Sequence, residues 1–204
     1  LSVFCFFYFT TDKAEVMGRP SSIGDRGRET PEMTTTVIAK NPNPTWVPGP
    51  MVRKSWLEQK GIDLPAVVPP GPDNPLGKFA MRLGYGNKDY LIHGTNKEFG
   101  VGLRVSAGCI RLRPDDIETL FSLVPVGTRV QVINQPVKMA VEPDGRRWLE
   151  VHSPRSRTEE EMSEGAPLVL SPEVEQFIAA PEIDGARVTA LLDDKNGLPR
   201  PVSG

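Results

Sequence analysis

Proline and glycine interrupt this chain more than any other feature, with 21 prolines and 19 glycines among 204 residues. They follow no collagen-like period, so they act as punctuation. A chain cut this often suits short strands and long loops. The β-branched stretches 33–40 (MTTTVIAK) and 129–134 (RVQVIN) read as strands. Residues 78–94 read as a hairpin with Gly84, Gly86 and Asn87 at its turn. A second hairpin is expected at 137–152, around Asp144-Gly145. The expected class is mainly β with short helices.

Helices are expected at 52–61, 113–124, 171–180 and 183–197. In the second of these, Pro114 suits the first turn, and Asp115, Asp116 and Glu118 favour the positive end of the dipole. Ile117, Leu120, Phe121 and Val124 then recur on one face. Residues 18–32, 41–50 and 67–77 read as loops, 95–108 as irregular, and 153–170 as an acidic linker. The apolar opening LSVFCFFYF lacks a basic leading region and a small-residue cleavage site, so it reads as a buried strand rather than a signal peptide. A turn at 11–13 and a return strand at 14–17 follow. The organisation expected is one domain over 1–138 and a hairpin plus small helical extension over 139–204.

Charge excludes some functions. Lys plus Arg is 24 and Asp plus Glu is 26, for a net charge of −2. A dedicated nucleic-acid binder would be basic, and a membrane-surface protein would carry a polybasic segment. No stretch reaches the roughly 20 apolar residues of a membrane span.

Two cysteines, Cys5 and Cys109, and two histidines, His93 and His152, are present. They offer neither a disulfide framework nor a metal cluster, so no metal and no cofactor are expected. The informative stretch is IHGTNKEFGVGLRVSAGCIRLRP, residues 92–114. His93 ends an apolar strand before Gly94, and Cys109 follows small residues in Ser106-Ala107-Gly108. Small residues let a bulky substrate approach and leave the Gly108 and Cys109 N–H groups to face a developing oxyanion. Arg104, Arg111 and Arg113 surround the thiol in sequence and would favour its anion. A neutral His93 could take the thiol proton and return it to a leaving amine. On the Cys/His pair alone, a core thiol and a structural histidine remain the simpler reading.

The stretch HGTNKEFGVGLRVSAGCIRLRPDDI resembles the signature of the L,D-transpeptidase (YkuD, ErfK/YbiS-type) family, a His-Gly followed by Ser-(His)-Gly-Cys and then a hydrophobic residue and Arg or Asn. GRETPEM, NPNPTWVP, LPAVVPPGPDNPLG, PVGTRVQVINQPVK and EPDGRRWLEVH resemble the branch that attaches the Braun lipoprotein to peptidoglycan. The resemblance implies a β-sandwich-like mixed sheet over the catalytic domain at 1–138, and a periplasmic location. It implies that Cys109 attacks the meso-diaminopimelate carbonyl of a stem tetrapeptide, releases D-Ala and holds a thioester. An amine, either a lipoprotein lysine or a second diaminopimelate, then resolves it. By the same mapping His93 is the base, the Gly94 carbonyl orients its ring, and Gly108 and Cys109 supply the oxyanion hole.

Arg111, Ser106, Arg104 and Tyr90 are the candidate substrate-binding residues. Guanidinium forks match stem-peptide carboxylates, although pairing with Asp115, Asp116 or Glu118 is the plainer role for the arginines. Ser106 could equally hold a turn, Tyr90 could simply pack, and Trp46 could be a lid or a loop anchor. His152 reads as surface or structural, and Cys5 as a core thiol. Ala107 departs from the family pattern, which often has histidine there. Two other outcomes share these residues: hydrolysis of the thioester by water, as in an L,D-carboxypeptidase, and a peptidoglycan-binding module without catalysis.

Overall fold

A computed structural model describes residues 5–10, 16–156 and 158–204. The expected turn at 11–13 lies outside the described residues. Residues 5–132 form one compact unit, and residues 133–204 belong to another. The first unit contains β1 (Cys5–Thr10), β2 (Val16–Ser21), β3 (Ile23–Gly24), β4 (Met33–Pro42) and α1 (Pro50–Lys60). Then come β5 (Phe79–Leu83), β6 (Tyr90–His93), a single 3-10 turn (Glu98–Gly100), β7 (Arg104–Ser106), β8 (Ile110–Arg111), α2 (Pro114–Leu123) and β9 (Arg129–Val132). The second unit contains β10 (Val137–Val141), β11 (Arg147–Val151), α3 (Glu159–Glu164), α4 (Pro172–Ile178), α5 (Gly185–Asp194) and β12 (Arg200–Pro201).

The centre of the first unit is a five-stranded mixed sheet in the order β8-β6-β5-β4-β9. Its neighbours are antiparallel except β6 and β8, which run parallel. β4 shows how the residue pattern sets the faces. Met33, Thr35 and Val37 point inward while Thr34, Thr36 and Ile38 are exposed, as period-two alternation requires. α2 begins at Pro114 with Asp115 and Asp116 in its first turn, as its sequence predicts. It lays Ile117 and Leu120 onto a core that includes Val37, Met81, Leu83, Ile92, Ile110 and Leu112. Burying a side chain of this size stabilises by about 1.5–3 kcal/mol. The Phe79 and Phe121 rings, 4.7 Å apart, extend that core.

The fold is mostly β with a few short helices, as expected from the punctuation. Three segments differ from the sequence reading. Residues 18–32 are not simply a loop, because β2 runs on to Ser21 and β3 follows. Gly18 and Pro20 are tolerated in β2 because it pairs on one side only, with β1, where Pro20 faces Phe6. The linker at 153–170 contains α3. The Thr158 hydroxyl accepts from the Glu161 N–H at 3.2 Å, and Glu159, Glu160 and Glu161 lie at the positive end of the dipole. The units divide after Val132, whereas the sequence suggested 138. The reason is visible in β10, where Val137 pairs with Val151 and is buried in the second core.

That second core joins Val137, Leu149 and Val151 to α4 through Val174 and Phe177 and to α5 through Val188 and Leu191. The C-terminal residues therefore have a sheet of their own, β10-β11-β12, with helices packed on it.

Candidate active site

His93 is the last residue of β6, paired with Ala80 on one side and Arg111 on the other. It is 3% exposed. Its Nδ1 lies 2.6 Å from the Gly94 carbonyl oxygen. A carbonyl only accepts, so Nδ1 carries the proton and Nε2 bears the lone pair. Gly94 can make this contact because it has no side chain. A Cβ there would meet the Ile117 Cγ2 at 3.1 Å and the Leu76 oxygen at 3.3 Å. Leu76 is itself held by buried Asn74, whose Oδ1 accepts from the Leu76 N–H at 2.9 Å and whose Nδ2 donates to the Pro44 carbonyl at 2.8 Å. Asn74 thus fixes the proline-rich loop that borders His93.

Cys109 immediately precedes β8 and carries a free, half-buried thiol. Its Sγ lies 3.7 Å from the Asp89 carbonyl oxygen. The turn before it is tight. The Ser106 hydroxyl accepts from the Gly108 N–H at 3.1 Å and donates to the Cys109 carbonyl at 2.5 Å. Gly108 has φ +110, and a Cβ on it would lie 3.1 Å from the Tyr90 ring. Only glycine fits that position without strain.

A strap from residues 22–30 lies along this turn. Ser22 exchanges backbone hydrogen bonds with Arg111 at 2.8 and 2.9 Å, and the Asp25 N–H donates to the Ser106 carbonyl at 2.9 Å. The Thr30 hydroxyl, buried to 1% exposure, donates to the Gly108 carbonyl at 2.9 Å and accepts from the Gly24 N–H at 2.9 Å. Sequence reasoning missed Ser22, Thr30 and Asn74, since each is an ordinary loop residue by composition. The GRET and DNP strings carry no local sign of partners so far along the chain.

The electrostatics favour a neutral pair. Burial, reinforced by the Arg111 charge, lowers the His93 pKa to about 4. The imidazole is therefore neutral at neutral pH, and a weaker base than an ordinary histidine. Burial also raises the Cys109 pKa, outweighing a Leu91 backbone hydrogen bond and the Arg111 charge, which favour the thiolate. Of the three arginines expected to favour the anion, one is seen to do so. Arg111 alone among them acts on the sulfur, and desolvation exceeds it. The thiol is therefore protonated at rest.

The remaining candidates divide. Arg111 sits opposite His93, and its buried Nε lacks a hydrogen-bond partner among the described residues. Tyr90 packs over Gly108 and meets Tyr85 edge-on at 5.9 Å. Arg104, by contrast, directs its Nε to the Gly24 carbonyl at 3.5 Å and ties β7 to the strap. Of the two roles open to Ser106, the turn has its hydrogen bonds here, both of them within residues 106–109. The Gly108 N–H is likewise engaged by Ser106, so of the two amides expected at an oxyanion, only that of Cys109 is not committed to this turn. Trp46 anchors its loop through paired backbone bonds with Val68 at 2.9 and 2.8 Å. Ala107 is exposed at the turn's outer face, and Arg113 is exposed beside α2. His152 belongs to the second unit and is buried there against Glu150. The Cys5 side chain lies outside the described residues. Among the described residues no three His, Cys, Asp or Glu side chains gather to hold a metal ion, and no helix is long and apolar enough to cross a membrane.

The L,D-transpeptidase catalytic domain family, YkuD, matches residues 4–132, and the L,D-transpeptidase C-terminal domain family matches residues 136–202. The chain is 50% identical over 200 residues to the "Probable L,D-transpeptidase ErfK/SrfK" of Escherichia coli K12, covering 97% of this chain and 63% of that protein. It is 45% identical to "Probable L,D-transpeptidase YcfS" of the same organism, over 95% of this chain and 61% of that protein. It is 43% identical to "Probable L,D-transpeptidase YbiS", also from that organism, over 95% of this chain and 63% of that protein. The chain thus spans less than two thirds of the length of these relatives. With the catalytic-domain family matched over residues 4–132 and its C-terminal domain family over 136–202, the chain belongs to the L,D-transpeptidase family.

Proposed function

We propose that this chain carries the catalytic centre of a peptidoglycan L,D-transpeptidase working in the periplasm, with Cys109 as nucleophile and His93 as base. The observation that carries the reading is the His93 ring, which is neutral and tethered through Nδ1, so that its lone pair lies on Nε2. The Cys109 sulfur attacks the meso-diaminopimelate carbonyl of a stem tetrapeptide while His93 Nε2 takes the thiol proton. The carbonyl oxygen becomes an oxyanion facing the Cys109 N–H. Collapse breaks the amide bond, His93 returns its proton to the departing D-Ala amine, and a thioester remains on Cys109. An acceptor amine then attacks the thioester, gives a proton to His93, and leaves as a new amide while the thiol is reprotonated. The acceptor is a second diaminopimelate or the C-terminal lysine of a Braun-type lipoprotein.

Arg111 is the residue we assign to a stem-peptide carboxylate, and the unpartnered Nε supports that role. Tyr90 forms the wall over Gly108. A binding module without catalysis would have no use for a free thiol and a tethered, neutral imidazole at neighbouring paired strands.

Product analysis tests the transfer. A disaccharide tetrapeptide incubated with the protein and an amine acceptor should give the amide-linked product with loss of one D-Ala. Hydrolysed tripeptide as the only product, with or without the amine, would replace transfer by carboxypeptidase action.

A further inference from the structure

The Gly108–Cys109 peptide holds the one expected oxyanion donor that Ser106 does not occupy. In a trans peptide the carbonyl and the N–H point in opposite directions. Whatever grips the Gly108 carbonyl therefore aims the Cys109 N–H. Gly108, at φ +110, sits in a conformation that its own sterics do not fix, so the plane needs an outside tether. Thr30 supplies it at 2.9 Å, from 78 residues away in sequence. The same hydroxyl is pinned by the Gly24 N–H at 2.9 Å. Gly24 in turn admits no side chain, because a Cβ would fall 2.2 Å from the Arg28 oxygen. Strap, hydroxyl and peptide thus form a short hydrogen-bonded chain, buried throughout, in which each donor polarises the next.

We infer that Thr30 is a positioning residue for the acyl-transfer step, aiming and polarising the Cys109 N–H at the tetrahedral oxyanion through its hydrogen bond to the Gly108 carbonyl. The inference rests on the transpeptidase reading above. It assigns Thr30 no contact with substrate. It distinguishes two reactions of the same sulfur. Acylation by a strained amide passes through an oxyanion and needs the donor, whereas alkylation displaces halide and forms none.

The test compares the wild type with Thr30→Val and Thr30→Ser, using a carbapenem as acylating agent and iodoacetamide as alkylating agent. Thr30→Val should acylate about 10- to 100-fold more slowly, while its alkylation rate and the pH profile of that rate match the wild type. Thr30→Ser keeps the hydroxyl and should restore acylation to within about threefold. Where the valine variant fails to fold, Thr30→Ala removes the hydroxyl with less bulk. Wild-type acylation in a folded valine or alanine variant would overturn the inference. So would a parallel loss of acylation and alkylation, which would make Thr30 a general support of the loop. A serine variant that alkylates normally but acylates tenfold slower would overturn it too. A wild type that alkylates but never acylates would overturn the transpeptidase reading itself.

Discussion

His93 in the five-stranded sheet and His152 beside β11 are both buried, at 3% and 9% exposure, yet their rings are held in different ways. His93 gives Nδ1 to a backbone carbonyl at 2.6 Å. His152 places Nε2 on the Glu150 carboxylate at 2.5 Å, and Lys138 reaches the same oxygen at 2.5 Å. The first arrangement puts the proton on Nδ1 and leaves the lone pair on Nε2. The second binds β10 to β11 and commits Nε2 to a structural pair. Burial alone therefore does not distinguish the histidine proposed as base from one held in an ion pair.

This contrast is widest in acylation. His93→Gln should slow thioester formation from a tetrapeptide stem by about 10²–10⁴-fold, whereas His152→Gln should leave it within about threefold. Comparable losses in both variants would erase the distinction. The second effect concerns stability against pH. The folded His93 has a pKa of about 4 against 6.5 unfolded. As pH falls from 6.5 to 4, the unfolded chain binds a proton that the folded protein refuses. The first unit should lose about 3 kcal/mol over that window, with full stability above it. Urea titrations at pH 7 and pH 4 should show the loss in the wild type and a flattened dependence in His93→Gln.

Glu150→Ala should destabilise the second unit by about 1–3 kcal/mol, since it removes the oxygen that Lys138 and His152 share. Denaturation followed at Trp148, which lies in β11, should register the change while acylation stays intact. The smallest effect should come from Ala107→His. The position is exposed, so restoring the family's more frequent residue should alter acylation by no more than about threefold. A large gain would give that side chain a part in the chemistry.

The parts of this account legible in the sequence are those written locally. α2 announces itself through Pro114, two aspartates and a periodic apolar face, and the 78–94 hairpin through its glycine turn. His93 and Cys109 stand out because the chain has so few of either residue type. Thr30 and Asn74 were not legible, because their partners are carbonyls 78 and 30 residues away. Their types give no hint of that. Ser106 left two roles open, because its position beside the thiol does not reveal that its hydroxyl closes residues 106–109. The neutral resting thiol was also hidden, since sequence displays the arginines around Cys109 but not the desolvation that outweighs them.

The central claim is that a neutral His93 activates Cys109 for acyl transfer. It is tested most directly by intact mass after incubation with a tetrapeptide-stem muropeptide, for the wild type, Cys109→Ala and His93→Ala. The account predicts a thioester adduct, the stem less D-Ala, on the wild type and none on either variant at matched times. An adduct that forms on His93→Ala at the wild-type rate would contradict it.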